Sequence, residues 1–170
     1  MLKYMITDPS YSLQKTFEAI KKHKPDFICY RNKKYFDEKE IKKFVNFAKE
    51  YSRLFINLDS LKKESLIELF DGVHIPSSKL EKISKFKNKT VIASTHSIEE
   101  VKKAKNADFI TFSPVFNSKN RHGIGIETLN SICNLHPKVI ALGGIISDKE
   151  IEEIKKSKAV GFAAIRYFFT

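Results

Sequence analysis

Cysteine, proline and glycine are all scarce in this chain, which has 2 Cys, 5 Pro and 6 Gly in 170 residues. Two cysteines, Cys29 and Cys133, exclude a disulfide framework and any Cys-x-x-Cys metal knuckle. Glycines and prolines this few, spread along the chain, exclude collagenous and low-complexity classes. No apolar run approaches the ~18 residues of a membrane span, and the apolar start at Leu2–Thr7 is too short for the core of a signal peptide. The expectation is a cytoplasmic chain, neither exported nor anchored, with no membrane partner.

Acidic residues are also in deficit, 20 Asp and Glu against 31 Lys and Arg, a net charge of +11. An excess of this sign favours phosphate-bearing partners, whether metabolites or nucleic acid. The lysines, among them Lys42, Lys43, Lys102, Lys103, Lys155 and Lys156, are interleaved with acids on helix-like stretches. That pattern reads as a solvated polar face, so no nucleic-acid partner is expected. What the chain has in quantity is apolar material: 42% hydrophobic residues, with 14 Phe and 6 Tyr, enough to core one domain spanning residues 1–170.

Short runs of β-branched and aromatic residues recur, each followed by a segment of helical periodicity. The expected strands are Leu2–Thr7, Phe27–Arg31, Leu54–Asn57, Gly72–Ile75, Thr90–Ser94, Phe109–Ser113, Val139–Leu142 and Ala159–Ala163. Expected helices are Ser12–Lys22, Glu38–Tyr51, Leu61–Leu69, Ile98–Lys105, Glu127–Leu135 and Asp148–Lys156. The clearest is Glu38–Tyr51, where Ile41, Phe44, Val45, Ala48 and Tyr51 share one face. Ser97 with Glu100 spells a capping box, and Ser147 offers an N-cap before Asp148 and Glu150.

Strand–helix alternation without a composition break predicts an α/β fold with parallel strands, and its eightfold repetition a small (β/α)8 TIM barrel. An open doubly wound sheet is the alternative. After the eighth strand only Ile165–Thr170 remains, so the eighth helix should be reduced or missing. Either the Tyr167-Phe168-Phe169 tail or the second subunit of a homodimer should cover that flank.

In such a barrel the site lies at the C-terminal ends of the strands. The polar residues there are Asp8, Arg31, Lys33, Asn57, His74, Ser77, Ser94, His96, Ser113, the 117–122 loop, Gly143-Gly144 and Arg166. Arginine grips phosphate oxygens bidentately and lysine supplies a point charge, so Arg31, Lys33 and Arg166, with Lys119 and Arg121 in the longest polar loop, suit a phosphate or diphosphate. Gly143-Gly144 follows the seventh strand and precedes a helix, where backbone N–H groups and the helix dipole can seat a phosphoryl group. His74 and His96 are readable either as near-core histidines or as acid/base groups. Cys29 reads as a small apolar residue.

The series Tyr4-Met-Ile-Thr-Asp8, Cys29-Tyr-Arg-Asn-Lys33, Phe55-Ile-Asn57, Asp71-Gly-Val-His74, Ala93-Ser-Thr-His96, Ser113-Pro-Val-Phe116 and Ala141-Leu-Gly-Gly-Ile145 resembles the thiamine phosphate synthase/TenI family over essentially the whole chain. That resemblance implies a (β/α)8 barrel of thiamine biosynthesis. It also implies an enzyme, either a transferase joining a pyrimidine diphosphate to a thiazole phosphate with Mg²⁺ assistance, or a TenI-like thiazole tautomerase. By position, Arg31 and Lys33 match the family's diphosphate-binding pair, Asn57 the Asn of its Asn-Asp pair, and Ser94 its strand-five serine. Ser118 and Lys119 approximate its hydroxyl-rich loop, and Gly143 with Gly144 its thiazole-phosphate seat, completed by Arg166 at the end of strand eight.

The departures concern chemistry. The metal-binding Asp after Asn57 is Leu58, with Asp59 one position late, and the second metal-binding Asp is replaced around Ser78-Lys79. The resemblance therefore implies a degraded Mg²⁺–diphosphate site, with Asp59 as the one candidate rescue ligand. A tautomerase His falls on Pro114, which leaves His122 or His96 to carry a proton. A non-catalytic phosphate-binding paralogue is the remaining alternative.

Overall fold

The computed structural model describes residues 1–118 and 121–170. Its strands are β1 (Leu2–Ile6), β2 (Phe27–Tyr30), β3 (Arg53–Asn57), β4 (Gly72–Ile75), β5 (Thr90–Thr95), β6 (Phe109–Phe112), β7 (Val139–Leu142) and β8 (Gly161–Ala164). All pair in parallel with their chain neighbours, and β8 returns to β1, so the sheet is a closed eight-stranded barrel. The open-sheet alternative is thereby excluded.

Side chains alternate along each strand between the barrel interior and the outer layer. Tyr4, Ile6, Phe27, Cys29, Phe55, Ile92, Ile140 and Ala163 fill the interior. Met5, Ile28, Leu54, Ile56 and Val73 instead join helix residues such as Ile20, Ile41 and Phe44 in the outer core. Phe27 meets Phe55 at 4.9 Å and Phe109 edge-on at 5.4 Å, contacts worth about 0.5–1.5 kcal/mol each beyond the area they bury. The strand starts share a device: Asp26, Asp71 and Asp108 each accept from the N–H of a residue on the preceding strand, Lys3, Leu54 and Val91, at 2.7 Å.

Among the described residues five α-helices cover the outside: α1 (Leu13–His23), α2 (Glu38–Ala48), α3 (Ile98–Lys103), α4 (Gly125–Cys133) and α5 (Asp148–Lys155). Helix α2 buries Ile41, Phe44, Val45 and Ala48, the face predicted from spacing, and Asp37 caps it by accepting from the N–H groups of Lys39 and Glu40. At α3, Ser97 Oγ accepts from the Glu100 N–H at 3.2 Å, but the Glu100 carboxylate takes the His96 N–H at 2.6 Å, so the capping box is displaced by one residue. At α5 the Glu150 carboxylate accepts from both the N–H and the hydroxyl of Ser147 at 2.8 Å.

Two crossovers differ from the sequence expectation. The helix expected at Leu61–Leu69 is instead a pair of 3₁₀ segments, Leu58–Ser60 and Glu64–Leu69. The stretch between β4 and β5, where no helix was expected, is also 3₁₀, over Ser77–Phe86 with a break at Lys79 (φ −132°, ψ 23°). In Glu64–Leu69 only Leu66 is buried, too narrow an apolar face to repay a full α-helical turn, and the tighter helix suffices as a connector.

The chain closes with one 3₁₀ turn at Arg166–Phe169 in place of an eighth helix. Phe168 is buried, the Phe169 ring stacks on Tyr11 at 3.8 Å, and Lys22 Nζ donates to the Thr170 carbonyl at 2.8 Å. The tail itself therefore covers the flank beside α1. Among the described residues no helix is long and apolar enough to cross a membrane. Truncation of the buried ring tests this anchoring: Phe168→Ala should cost about 3–5 kcal/mol of stability in denaturant unfolding. An unchanged midpoint would mean that the tail is no part of the core.

Candidate functional site

A cavity of about 500 Å³ opens at the C-terminal ends of the strands. Arg31, Lys33, Asn57, Ser94, His96, Ser118 and Gly143, all candidates from the sequence, line it together with His74, Asp59, Arg121 and Cys29. A second chamber of about 390 Å³ is lined by Asp8, Ser10, Tyr11, Gly144 and Arg166, and shares Ser118, Leu142, Gly143 and Ile165 with the first. The candidate residues thus converge on two contiguous spaces, with two exceptions. His122 is exposed and lines neither chamber, and Lys119 lies outside the described residues.

The floor of the larger chamber is a hydrogen-bonded chain running through the barrel. Tyr4 Oη lies 2.7 Å from His74 Nδ1, and His74 Nε2 lies 2.6 Å from Ser94 Oγ. Tyr4 and His74 are buried, and their rings stack at 5.8 Å. Burial, reinforced by Arg31 and Lys33, pushes the His74 imidazole down to about 4, so the ring is neutral at pH 7, donating at one nitrogen and accepting at the other. Ser94 is thereby fixed in orientation at the cavity wall. Burial pushes the Cys29 thiol up to about 12, which leaves it protonated and rules it out as a nucleophile. Tyr4 was not singled out in the sequence; the only signal was its two-residue spacing from Ile6 on an inward-facing strand.

The rim is built of ion pairs. Arg31 Nη1 lies 3.2 Å from Asp8 Oδ2, Lys33 Nζ 2.9 Å from Asp59 Oδ2, and Lys79 Nζ 2.7 Å from Asp59 Oδ1. Burial alone would raise the Asp59 carboxyl, but hydrogen bonds from Lys79 and Lys33 outweigh it and hold the group below its usual range. Asp8 is likewise lowered, the cost of burial being outweighed by hydrogen bonds from Ser10 and the charge of Arg31. At the opposite rim His96 Nδ1 lies 3.1 Å from Glu100 Oε2.

These donors bear on the Mg²⁺ that the family resemblance implies. Asn57 Oδ1 already accepts from the Asp59 N–H at 2.9 Å, and each Asp59 oxygen already faces an ammonium. No group of three or more His, Cys, Asp or Glu side chains comes together among the described residues. Mg²⁺ is held in a near-octahedral set of oxygens, commonly one or two carboxylates with substrate phosphates and waters, and of the described residues lining the larger chamber Asp59 is the carboxylate, already paired with two ammonium groups.

The glycine pair has a steric reason as well as a chemical one. Gly143 and Gly144 adopt φ of +97° and +74°, which disfavours side chains. A Cβ on Gly143 would lie 2.7 Å from Pro114 Cα, and one on Gly144 2.6 Å from the Asn117 carbonyl oxygen. The loop after β6 is laid directly on the pair, with the Phe116 N–H donating to the Gly143 carbonyl at 3.1 Å. The N-terminus of α5 contributes less than the sequence suggested, because Glu150 already accepts from the N–H groups of Ile146 and Ser147. An anion seated here would draw on the glycine backbone and Arg166, which lines the same chamber.

A closed parallel barrel whose strand ends gather cations, hydroxyls and a glycine turn belongs to the class of small (β/α)8 proteins. Residues 3–168 match the family described as thiamine monophosphate synthase, and the chain belongs to that family. Among solved structures it is similar to thiamine phosphate pyrophosphorylase from Pyrococcus furiosus, with 24% identity and a TM-score of 0.79 over 96% of this chain and 85% of that one. It is also similar to phosphoribosyl anthranilate isomerase from Thermotoga maritima, with 9% identity and a TM-score of 0.71 over 98% and 89% of the chains. A third likeness is to (S)-3-O-geranylgeranylglyceryl phosphate synthase from Thermoplasma acidophilum, determined with sn-glycerol-1-phosphate, at 12% identity and a TM-score of 0.66 over 99% and 86%. At these identities the likenesses establish the fold. No curated protein matches the chain.

The buried histidine predicts a pH dependence of stability. An unfolded His titrates near 6.5, whereas folded His74 titrates at about 4. Above pH 6.5 neither state holds the proton; as pH falls from 6.5 to about 4 the unfolded chain gains one that the barrel refuses. The His74 contribution to stability should decline across that window by about 3 kcal/mol and level off below it, where the lowered Asp8, Asp59 and Glu150 carboxyls continue the loss. Denaturant unfolding from pH 7.5 to 4 checks this, and His74→Gln should flatten the decline, though the similarly lowered His23 and His136 leave part of it.

Proposed function

We propose that this chain binds a thiazole phosphate at the C-terminal face of its barrel and acts in thiamine biosynthesis as a transferase of its family's type. The observation that carries the reading is the second chamber. Gly143, Gly144, Ser118 and Arg166 surround a space of phosphate-bearing dimensions, and the shared wall of Ser118, Leu142 and Gly143 opens it onto the larger cavity. A phosphate over the glycine backbone would direct the attached ring toward Ser94, whose hydroxyl is already set by His74. The larger chamber then accommodates the second reactant, a pyrimidine diphosphate, against Arg31, Lys33 and Arg121. Neutralising a concentrated negative charge is the main electrostatic task of such a transfer.

One observation favours a second reading. His96 is at the cavity wall and carries a carboxylate partner in Glu100, the geometry of a group that shuttles a proton. In that reading the chain isomerises the thiazole ring by moving a proton, and His96, not the outlying His122, is the acid/base.

Calorimetric titration with thiazole phosphate tests the principal reading. The wild-type chain should bind, and Arg166→Ala should weaken binding by about tenfold, the loss of a charge-assisted hydrogen bond, with no change in Tm. Absence of binding by the wild type overturns the proposal. Product formation from added pyrimidine diphosphate separates a transferase from a non-catalytic paralogue. His96→Ala should abolish proton exchange on the thiazole if the isomerase reading holds, and exchange at the wild-type rate removes that reading alone.

A further inference from the structure

Asp59 is fixed before any ligand arrives. Its N–H donates to Asn57 Oδ1 at 2.9 Å, and its neighbour Ser60, buried, accepts the N–H of buried Asn32 at 2.8 Å. Asn32 directly precedes Lys33, so this backbone tie clamps the loop after β2 to the turn after β3 and brings Lys33 Nζ to Asp59 Oδ2 at 2.9 Å. Asn32 Oδ1 also accepts from the N–H groups of Lys34 and Tyr35, which holds the rest of that loop. From the following crossover Lys79 enters at the break between its two 3₁₀ turns and sets Nζ 2.7 Å from Asp59 Oδ1. One carboxylate therefore anchors two ammonium groups, one on each oxygen; Asp59 and Lys33 line the larger cavity with Arg31 and Arg121, and Lys79 directly follows the lining residues Ser77 and Ser78.

The charge sum is informative. Two carboxylates and a divalent cation, the arrangement the family resemblance implies at this place, add to zero. Asp59 with Lys79 also adds to zero, and Lys33 remains as the surplus cation facing the cavity. A lysine supplies its charge as a compact ammonium on a tether and requires no dehydration of a bound ion. With both Asp59 oxygens engaged and no group of three or more His, Cys, Asp or Glu side chains among the described residues, a divalent ion would have to displace an ammonium to gain one ligand here.

We propose that the Lys79 ammonium stands in place of a divalent cation, so that a diphosphate-class anion binds at this mouth without metal. Asp59 is then a positioning residue that aims Lys33 and Lys79, not a metal ligand. The inference rests on reading the mouth as an anion site, but it concerns the Lys33 side of the larger chamber and is independent of the glycine seat.

Calorimetry with inorganic pyrophosphate, once in EDTA and once with Mg²⁺, tests it on the full chain. Binding in EDTA is expected, with no gain in affinity on adding Mg²⁺, and Mg²⁺ alone should not shift Tm. Lys79→Gln should weaken the affinity in EDTA about tenfold, the loss of one full charge, while Lys79→Arg should retain it. Pyrophosphate binding by the wild type that requires Mg²⁺, no binding in either buffer, or unchanged affinity in a folded Lys79→Gln variant each overturns the inference. Should Lys79→Gln fail to fold, the wild-type comparison between the two buffers decides. The two proposals fail separately. Lost pyrophosphate binding with thiazole phosphate still bound overturns this one, and the reverse result overturns the proposed function.

Discussion

Closure of the sheet is the constraint on which everything else depends. Once β8 pairs with β1, every strand end points into one opening, and the period-two alternation decides which residues face it. Asn57, His74, Ser94 and Leu142 follow interior positions such as Phe55 and Ile92 by two residues or share their register, so they form the layer above the aromatic plug. Eight strands in chain order thus bring scattered polar residues together, joined by Ser118 and Arg121 from the loop after β6.

Within that opening, rigidity comes from neutral hydrogen bonds and charge is carried by their neighbours. Asn57, Ser60 and Asn32 are buried and tie loops to one another; Arg31, Lys33 and Asp59 stand beside them, partly exposed. Exposed ion pairs contribute little to stability on their own, so this division lets the charged groups serve binding while the amides and hydroxyls serve the fold. His74 follows the same logic from the inside, since its burial beside Arg31 and Lys33 keeps it uncharged and leaves the cavity's positive field to the rim.

Much of this was legible in the sequence. The strand runs and the amphipathic face of α2 follow from periodicity, because each segment buries what its pattern says it should. The crossovers around β4 were not legible. Leu61–Leu69 has apolar residues at nearly helical spacing, yet inside its 3₁₀ turn only Leu66 is buried while Ile67 packs on the core partly exposed, and tertiary contact rather than local propensity selects the tighter helix. In the site, residues ending apolar strands were found, since strand direction fixes their aim. Tyr4, Lys79 and the double pairing of Asp59 were not, because they depend on contacts across crossovers that no local window contains.

The pairing of Arg31 with Asp8 and of two lysines with Asp59 means that these three cations of the mouth are already engaged by two carboxylates, with one positive charge in excess. An incoming molecule must therefore compete with carboxylates for each of these three cations. A singly charged acid offers those cations little more than Asp8 and Asp59 already do. A doubly or triply charged group offers more, so at the proposed anion site charge density would be selected before shape is consulted.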